Sequence, residues 1–323
     1  MYNIFKSKSG SDNLKKIKWI ATGGTISCVP TEKGLSPAAA EGQMKDMLTH
    51  IPETGAEISP ECIMNIDSSD ISCDDMRRIG ISAHNAVKDG FDGIVITHGT
   101  DTMAYTSAML RKMLVFPPVP IIITGAQRPF YSENSDGKAN LFNSLNAALN
   151  DSLNDVYLLF GDKLIRGDMA HKEYTHSDNA FISSREYAGR IKDGTLLLND
   201  IHHNSGEYSF NDDFDESVML IKLTPGTDIS IFSYAVDRGV RGIVIEGYGT
   251  GGIPHRLLDG IAYAAGKGIK IMLISQCLHE GVDMSIYEVG VNAARHGVIP
   301  GGEMTAEAAV AEMMFMLGKE RRS

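Results

Sequence analysis

Short, uninterrupted runs of apolar residues alternate with segments of helical periodicity along most of the chain. In the first half the apolar runs cover residues 17–21, 92–97, 119–124 and 155–160. They have no polar side, as expected for strands that are covered on both faces of a parallel sheet. The helical segments between them cover 72–88, 103–114 and 136–149. This alternation predicts parallel βαβ units and hence an α/β fold.

A polar, acidic segment without periodicity, residues 199–216, interrupts the alternation and is interpreted as an interdomain linker. After it, shorter strands (218–223, 242–246, 269–275) and helices (229–237, 257–265, 305–317) follow in the same order. The pattern predicts a larger, mostly parallel sheet domain over 17–198 and a smaller parallel α/β domain over 217–323. Residues 1–16 are expected to form a mobile polar leader.

Composition narrows the function classes. The chain has 323 residues, 43% of them hydrophobic, and 30 basic against 41 acidic residues give a net charge of −11. This negative charge disfavours nucleic-acid binding, and the lack of a long apolar run excludes a membrane-spanning helix. The leader has no apolar core typical of a secretory signal, so a cytoplasmic location is expected. The cysteines form no C-x-x-C pair and are expected to be reduced thiols; they are Cys28, Cys62, Cys73 and Cys277.

Two turns rich in glycine and threonine follow strands of the predicted sheet. Residues 22–26 (TGGTI) follow the first strand, and residues 98–102 (HGTDT) follow the strand ending at Thr97. The Thr-Asp pair could simply cap the next helix, and the segment 67–70 (DSSD) could do the same. Neither turn has the glycine spacing of a nucleotide-binding loop. Because ligands of parallel sheets bind at the carboxyl ends of strands, two such turns together indicate a site.

A threonine nucleophile in these turns needs a neighbouring base. His98 is one candidate, although a histidine that precedes such a turn can equally be a hydrogen-bonded core residue. Lys172 is the other candidate, because burial can turn a lysine into a base, but taken alone it would be a solvated surface lysine. The histidines lack metal-ligand spacing, so no zinc site is expected.

Several motifs together resemble the bacterial-type L-asparaginases, and most of all their cytoplasmic type I branch. The most specific are ATGGTIS (21–27) and VITHGTDTMAYTSAML (95–110). The others are MNIDSSD (64–70), ITGAQRP (123–129), DGKANL (136–141), LIRGDMAHK (164–172), ISQC (274–277) and GVIPGGEMTAEAA (297–309). The resemblance implies an asparaginase/glutaminase-like fold, L-asparagine as the substrate and a homodimer or homotetramer. It also implies that no metal and no organic cofactor are required.

The resemblance also implies roles for particular side chains. Thr25 is the expected nucleophile that forms an acyl-enzyme. Thr100, Asp101 and Lys172 are expected to form a second triad, in which Lys172 takes up a proton and Thr100 relays it.

The expected substrate-binding residues are Ser68, Ser69 and Asp101. Ser68 and Asp101 are assigned to the α-carboxylate and the α-ammonium group, with Ser69 beside them. A zwitterionic amino acid needs hydrogen-bond donors for one end and a carboxylate for the other.

Four positions depart from the family pattern or bear on it. Leu35 stands where the family usually has a tyrosine on the loop after the nucleophile, and Gly252 stands where it often has an asparagine. Glu246 replaces the arginine of the regulatory pocket that some members have, although Cys277 matches the cysteine of that pocket. Allosteric control is therefore not carried over to this chain.

The sequence predicts an amidohydrolase that converts L-asparagine and water to L-aspartate and ammonia. Two alternatives stay open: the ammonia-supplying amidase subunit of an amidotransferase, and a non-catalytic protein that binds an amino acid.

Overall fold

Two separate sheets organise the computed structural model, which describes residues 14–32, 34–199, 206–285 and 288–321. The strands in chain order are β1 (Lys16–Gly23), β2 (Cys28–Thr31), β3 (Gly34–Pro37), β4 (Glu57–Ile66), β5 (Gly93–Thr97), β6 (Leu114–Val115), β7 (Ile121–Thr124), β8 (Val156–Phe160), β9 (Lys163–Arg166), β10 (Ala170–Lys172), β11 (Phe181–Ser183), β12 (Gly189–Lys192), β13 (Thr195–Leu198), β14 (Ser209–Phe210), β15 (Val218–Lys222), β16 (Gly242–Gly247), β17 (Lys270–Ser275) and β18 (Ile299–Pro300). The helices are α1 (Glu41–Thr49), α2 (Cys73–Lys88), α3 (Met103–Met113), α4 (Gly137–Ala148), α5 (Ser230–Asp237), α6 (Leu258–Gly266), α7 (Glu288–Arg295) and α8 (Ala306–Glu320).

The larger sheet has eight strands in the order β13-β12-β9-β8-β7-β5-β1-β4. The five strands from β8 to β4 are parallel to their neighbours. On the far side of β8, the strands β9, β12 and β13 continue the sheet in antiparallel pairs. The mostly parallel sheet predicted for the first half is therefore confirmed.

Helices cover both faces of this sheet. Ile20, Ile94 and Ile96 pack with α2 and α3 on one face, whereas Trp19 and Val95 pack with α1 and α4 on the other. Neighbouring residues of a strand point to opposite faces, so a strand between two helical layers must be apolar on both sides. This burial explains why the central strands are uninterrupted apolar runs.

The second sheet is smaller and fully parallel, in the order β15-β16-β17-β18. Phe232 of α5 and Ile261 of α6 pack on one face, and Met313 and Leu317 of α8 pack on the other. Helix α8 also contacts α3 of the first unit, so it joins the two units. The predicted smaller parallel α/β unit is confirmed.

Some segments differ from the expected pattern. The described part of the predicted linker, residues 206–216, contains β14, which pairs with β6 of the first unit. Phe214 is buried against Phe315 of α8, with ring centroids 5.4 Å apart. Residues 1–13 of the predicted leader lie outside the described residues, and Lys16 already belongs to β1. No helix among the described residues is long and apolar enough to cross a bilayer.

Candidate active site

The carboxyl ends of three neighbouring strands meet where the two Gly-Thr turns begin. The Thr22 hydroxyl donates a hydrogen bond to the Thr97 carbonyl at 3.0 Å, which joins the ends of β1 and β5. Gly24 N–H donates to the Ile66 carbonyl at 3.2 Å, which brings in the end of β4. The site therefore lies at the edge of the sheet where ligands of parallel sheets bind.

Two glycines allow the turns to touch each other. Gly24 has φ 74°, and a Cβ atom built on it would lie 2.4 Å from Gly99 N. A Cβ atom on Gly99 would lie 2.4 Å from Ser68 Oγ. Only residues without a side chain permit contacts this close. The backbones of both turns and the segment around Ser68 thus form one continuous surface.

This surface encloses a small cavity of about 60 Å³. Thr25 lies on it as the first residue of a 3₁₀ turn, Thr25–Ser27. Its hydroxyl makes no hydrogen bond to another group in the described part of the chain, so it is free to meet a bound molecule. The lining residues are Gly24, Thr25, Cys28, Asp67, Ser68, Gly99, Thr100 and Asp101.

Lys172 brings its amine to the rim of the cavity. Its Nζ donates to Thr100 Oγ1 at 2.8 Å and to Asp101 Oδ1 at 2.6 Å. The Lys172 side chain is 18% exposed and that of Asp101 is 62% exposed, so the lysine is the more enclosed partner. Lys172 comes from β10, some 70 residues from the turn in sequence, and the structure still brings it together with Thr100 and Asp101.

The two serines of the DSSD segment differ in position. Ser68 is buried, and its Oγ accepts a hydrogen bond from Asp101 N–H at 3.2 Å. Ser69 is exposed and does not line the cavity; its hydroxyl donates to Asp67 Oδ1 at 2.9 Å. The structure thus places Ser68 and Asp101 at the cavity and leaves Ser69 outside it.

The capping interpretation holds for one segment and fails for the other. Asp67 accepts from Ser69 N–H and so caps the short 3₁₀ turn Ser68–Asp70. Thr102 is at the N-cap position of α3 but makes no capping bond, because its hydroxyl donates to the Ser68 carbonyl at 2.7 Å. Since the Asp101 carboxylate pairs with Lys172, the Thr-Asp pair serves the site rather than the helix.

His98 is fully buried beneath the second turn. Its Nδ1 is 2.7 Å from the Gly99 carbonyl, and its Nε2 is 3.0 Å from Thr106 Oγ1. Burial lowers the pKa of His98 to about 4, and the hydrogen bond with Gly99 only partly offsets this effect. A neutral imidazole with both nitrogens engaged and no place in the cavity lining fits the core interpretation, so Lys172 is the base candidate that the geometry favours.

Sequence reasoning missed two lining residues, Asp67 and Cys28. In a 3₁₀ turn the side chains at i and i+3 lie above one another, so the spacing between Thr25 and Cys28 could have indicated the second. Burial, together with the charge of Asp67, raises the pKa of the Cys28 thiol. The Cys28 side chain is therefore a neutral thiol in the cavity lining at physiological pH.

Of the positions compared with the family pattern, Gly252 and Cys277 are not among the residues that line the cavity. Leu35 is on β3, paired with Pro30 in the β2–β3 hairpin. Gly252 bridges back to Tyr248 in the turn after β16. Cys277 is exposed after β17. Among the described residues, no cluster of three or more His, Cys, Asp or Glu side chains could hold a metal ion.

Comparisons with known proteins agree with this arrangement. The family model "Asparaginase, N-terminal" matches residues 16–202, and the model "Glutaminase/Asparaginase C-terminal domain" matches residues 217–323. An L-asparaginase of Thermococcus kodakarensis is 38% identical over 311 residues, which cover 95% of this chain and 94% of that protein. A glutamyl-tRNA(Gln) amidotransferase component of Methanobrevibacter smithii is 34% identical, and the match covers 94% of this chain and 72% of that protein.

The solved structures give the same result for the fold. The structure of the thermostable L-asparaginase from Thermococcus kodakarensis matches with a TM-score of 0.87 and 37% identity, over 94% of this chain and 93% of that one. Both family models and a full-length relative above 30% identity thus agree with the expectation from the motifs, and the chain belongs to the asparaginase family.

Proposed function

We propose that this protein is an L-asparaginase, which hydrolyses the side-chain amide of L-asparagine to L-aspartate and ammonia. The observation that carries the proposal is the Lys172 amine, held 2.8 Å from Thr100 Oγ1 and 2.6 Å from Asp101 Oδ1 at a cavity that Thr25 also lines. A hydroxyl nucleophile, a second hydroxyl and a proton acceptor in one small cavity are what acyl transfer from an amide requires.

Binding uses the two ends of the amino acid. The Asp101 carboxylate is largely exposed and can accept from the α-ammonium group. Ser68 Oγ already accepts from Asp101 N–H, so its own proton is free to donate to the α-carboxylate. This division places the side-chain amide toward Thr25.

The reaction then proceeds in two halves. The Thr25 hydroxyl attacks the amide carbon, its proton is transferred to the amide nitrogen, the C–N bond breaks to release ammonia, and an aspartyl ester remains on Thr25. Backbone N–H groups of the Gly24 and Gly99 turns stabilise the oxyanion, each typically worth about 3 kcal/mol. In the second half water attacks the ester carbon while Thr100 relays a proton of that water toward the Lys172 amine. The bond to Thr25 Oγ1 then breaks, a proton returns to that oxygen, and aspartate leaves.

The alternative functions have weaker support. The amidotransferase component of Methanobrevibacter smithii matches this chain at 34% identity, below the 38% of the L-asparaginase of Thermococcus kodakarensis. An assembled Lys172–Thr100–Asp101 cluster disfavours a protein that only binds an amino acid. A cytoplasmic location is also part of this proposal, because all four cysteines are free thiols. A homo-oligomeric state is a further part of it, because the large side chains of Tyr234 on α5 and Tyr263 on α6 are exposed.

Thr25→Ala tests the proposal. Ammonia release from asparagine should fall by roughly 10³-fold or more, as it does when other hydrolases lose their nucleophile. The melting temperature should stay within error, because the Thr25 hydroxyl has no hydrogen bond to lose among the described residues. Thr195→Ala, at an exposed position of β13, is the matched control. Release by Thr25→Ala at the rate of this control contradicts the nucleophile assignment, and glutamine in parallel assays defines the substrate range.

A further inference from the structure

A buried carboxylate of the smaller unit reaches the strand that carries Lys172. Glu307, in the first turn of α8, is 6% exposed, and its Oε1 lies 3.0 Å from His171 Nδ1. His171 directly precedes Lys172 in β10. Because α8 belongs to the second sheet, this contact links the two units next to the catalytic lysine of the proposed function.

The surroundings of His171 favour its charged form. The hydrogen bond with Glu307 is the largest influence and raises the pKa of His171, burial works against it, and the charges of Glu307, Glu173 and Glu246 add to the rise. Tyr105 of α3 faces the same cluster: burial, followed by the charges of Glu307 and Glu246, raises its pKa to about 12, so it stays neutral. These surroundings therefore favour the charged form of His171, the form that neutralises the buried Glu307 carboxylate.

Glu307 has no other side-chain hydrogen bond within the part of the chain that the structure describes. Its Oε2 is buried without a partner there. The positive end of the α8 dipole supports the negative charge, since Glu307 is in the first turn of that helix. Within the described chain, the Glu307 carboxylate therefore makes its side-chain hydrogen bond to the first unit only through His171.

Strand β10 is held by its pairing with β11, by the buried Ala170 and by side-chain contacts such as that between His171 and Glu307. It pairs only with β11 in a two-stranded ribbon outside both larger sheets of the described chain. Adjacent residues of a strand point in opposite directions. While the His171 side chain meets α8, the Lys172 side chain meets Thr100 and Asp101, so a fixed His171 fixes the backbone from which Lys172 extends.

We propose that Glu307 is a positioning residue for the hydrolytic site, which holds β10 through His171 so that Lys172 Nζ stays within reach of Thr100 and Asp101. The inference rests on the role given to Lys172 in the proposed function. It makes activity depend on the particular contact between Glu307 of α8 and His171 of β10.

Glu307→Gln tests this role, because it removes the charge and keeps the size of the side chain. We expect kcat for ammonia release to fall about 10- to 100-fold, the cost of displacing a catalytic group by a fraction of an ångström to 1 Å. KM should change less than about threefold, since the cavity lining is intact. The pKa of His171, followed by proton NMR, should fall, and acetylation of Lys172 in the substrate-free protein, followed by peptide mass spectrometry, should accelerate severalfold.

Glu312→Gln is the matched control, because Glu312 lies on the same helix and pairs with Lys112 of α3. It should leave kcat, the pKa of His171 and the acetylation of Lys172 unchanged. In a His171→Gln background, Glu307→Gln should add less than about twofold to the loss of kcat. An unaccelerated acetylation of Lys172 in Glu307→Gln, or a full further loss in that background, overturns the proposal. If the wild-type protein releases no ammonia from asparagine, the proposed function fails, and the NMR and acetylation measurements still decide the positioning role.

Discussion

Replacing Gly99 with alanine puts a methyl group into the space that Ser68 occupies. The new Cβ would lie 2.4 Å from Ser68 Oγ and 2.7 Å from Ser68 Cβ. Since non-bonded atoms settle about 3.5 Å apart, Ser68 must move by about 1 Å. The bond from Asp101 N–H to Ser68 Oγ is already 3.2 Å long, and such a displacement breaks it.

The size of the effect follows from this displacement. Overpacking lowers the free energy of unfolding by about 1–3 kcal/mol. Replacing glycine also lowers the entropy of the unfolded chain, which raises the free energy of unfolding by about 0.4–1 kcal/mol. We therefore expect Gly99→Ala to lower the free energy of unfolding by about 1–2 kcal/mol in urea. Because Ser68 and Asp101 both move, kcat/KM for ammonia release from asparagine should fall about 100-fold.

Gly42→Ala is the control for this experiment. A Cβ at Gly42, on the exposed side of α1, meets nothing within 4 Å. Because alanine favours the helix, Gly42→Ala should raise the free energy of unfolding by up to about 1 kcal/mol and leave kcat/KM unchanged. If Gly99→Ala keeps kcat/KM within about threefold of Gly42→Ala, the argument from close packing at the site is refuted.

Three further predictions concern side chains around the site. Lys172→Met should lower kcat, measured by ammonia release, about 10²- to 10⁴-fold, and near-normal turnover would contradict the role of Lys172 as the base. The free energy of unfolding, measured in urea, should change by less than about 1 kcal/mol, because water hydrates the largely exposed Asp101 carboxylate once the lysine is gone. Because the pKa of His98 is lowered from 6.5 to about 4, the unfolded chain binds a proton that the native chain does not. The free energy of unfolding should therefore fall below pH 6.5, by about 2 kcal/mol at pH 5, and an equal pH dependence in His98→Gln contradicts this assignment. Iodoacetamide should label the exposed Cys277 at least about tenfold faster than Cys28, because Cys28 is buried and burial raises the pKa of its thiol. The two rates are measured by mass spectrometry, and similar rates would show that Cys28 is accessible to solvent.

The parts of the fold that the sequence predicts are those buried on both faces. The strands β5, β7 and β8 are wholly buried, so their apolar runs are uninterrupted. The apolar pattern does not predict β4, because this strand lies at the sheet edge, is mostly half-buried and contains Pro60 and Glu61. Proline is tolerated at an edge, where no further strand needs its missing N–H, so the usual strand signal is weakest there.

The residues in and around the site likewise fall into those with a local sequence signal and those that only tertiary packing brings together. The turns around Thr25 and Thr100 carry their own local signal, since glycines and threonines recur at the ends of two strands. The contact between Glu307 and His171 joins residues 136 positions apart and depends on the docking of α8. Nothing in the local sequence of either residue indicates the other, because this pairing arises only when the two sheets pack together.

The contact between Gly24 and Gly99 has a consequence for how such proteins diverge. Main-chain atoms set the distance between the two turns, so that distance does not depend on which side chains surround the cavity. Mutations at the rim can alter which amide enters, while descendants inherit the same separation between the turn of Thr25 and the turn of Thr100. Exchanging either glycine alone is costly, because a side chain on Gly24 collides with the main chain of Gly99 and one on Gly99 collides with Ser68. New specificities can thus arise by mutation around an invariant spacing.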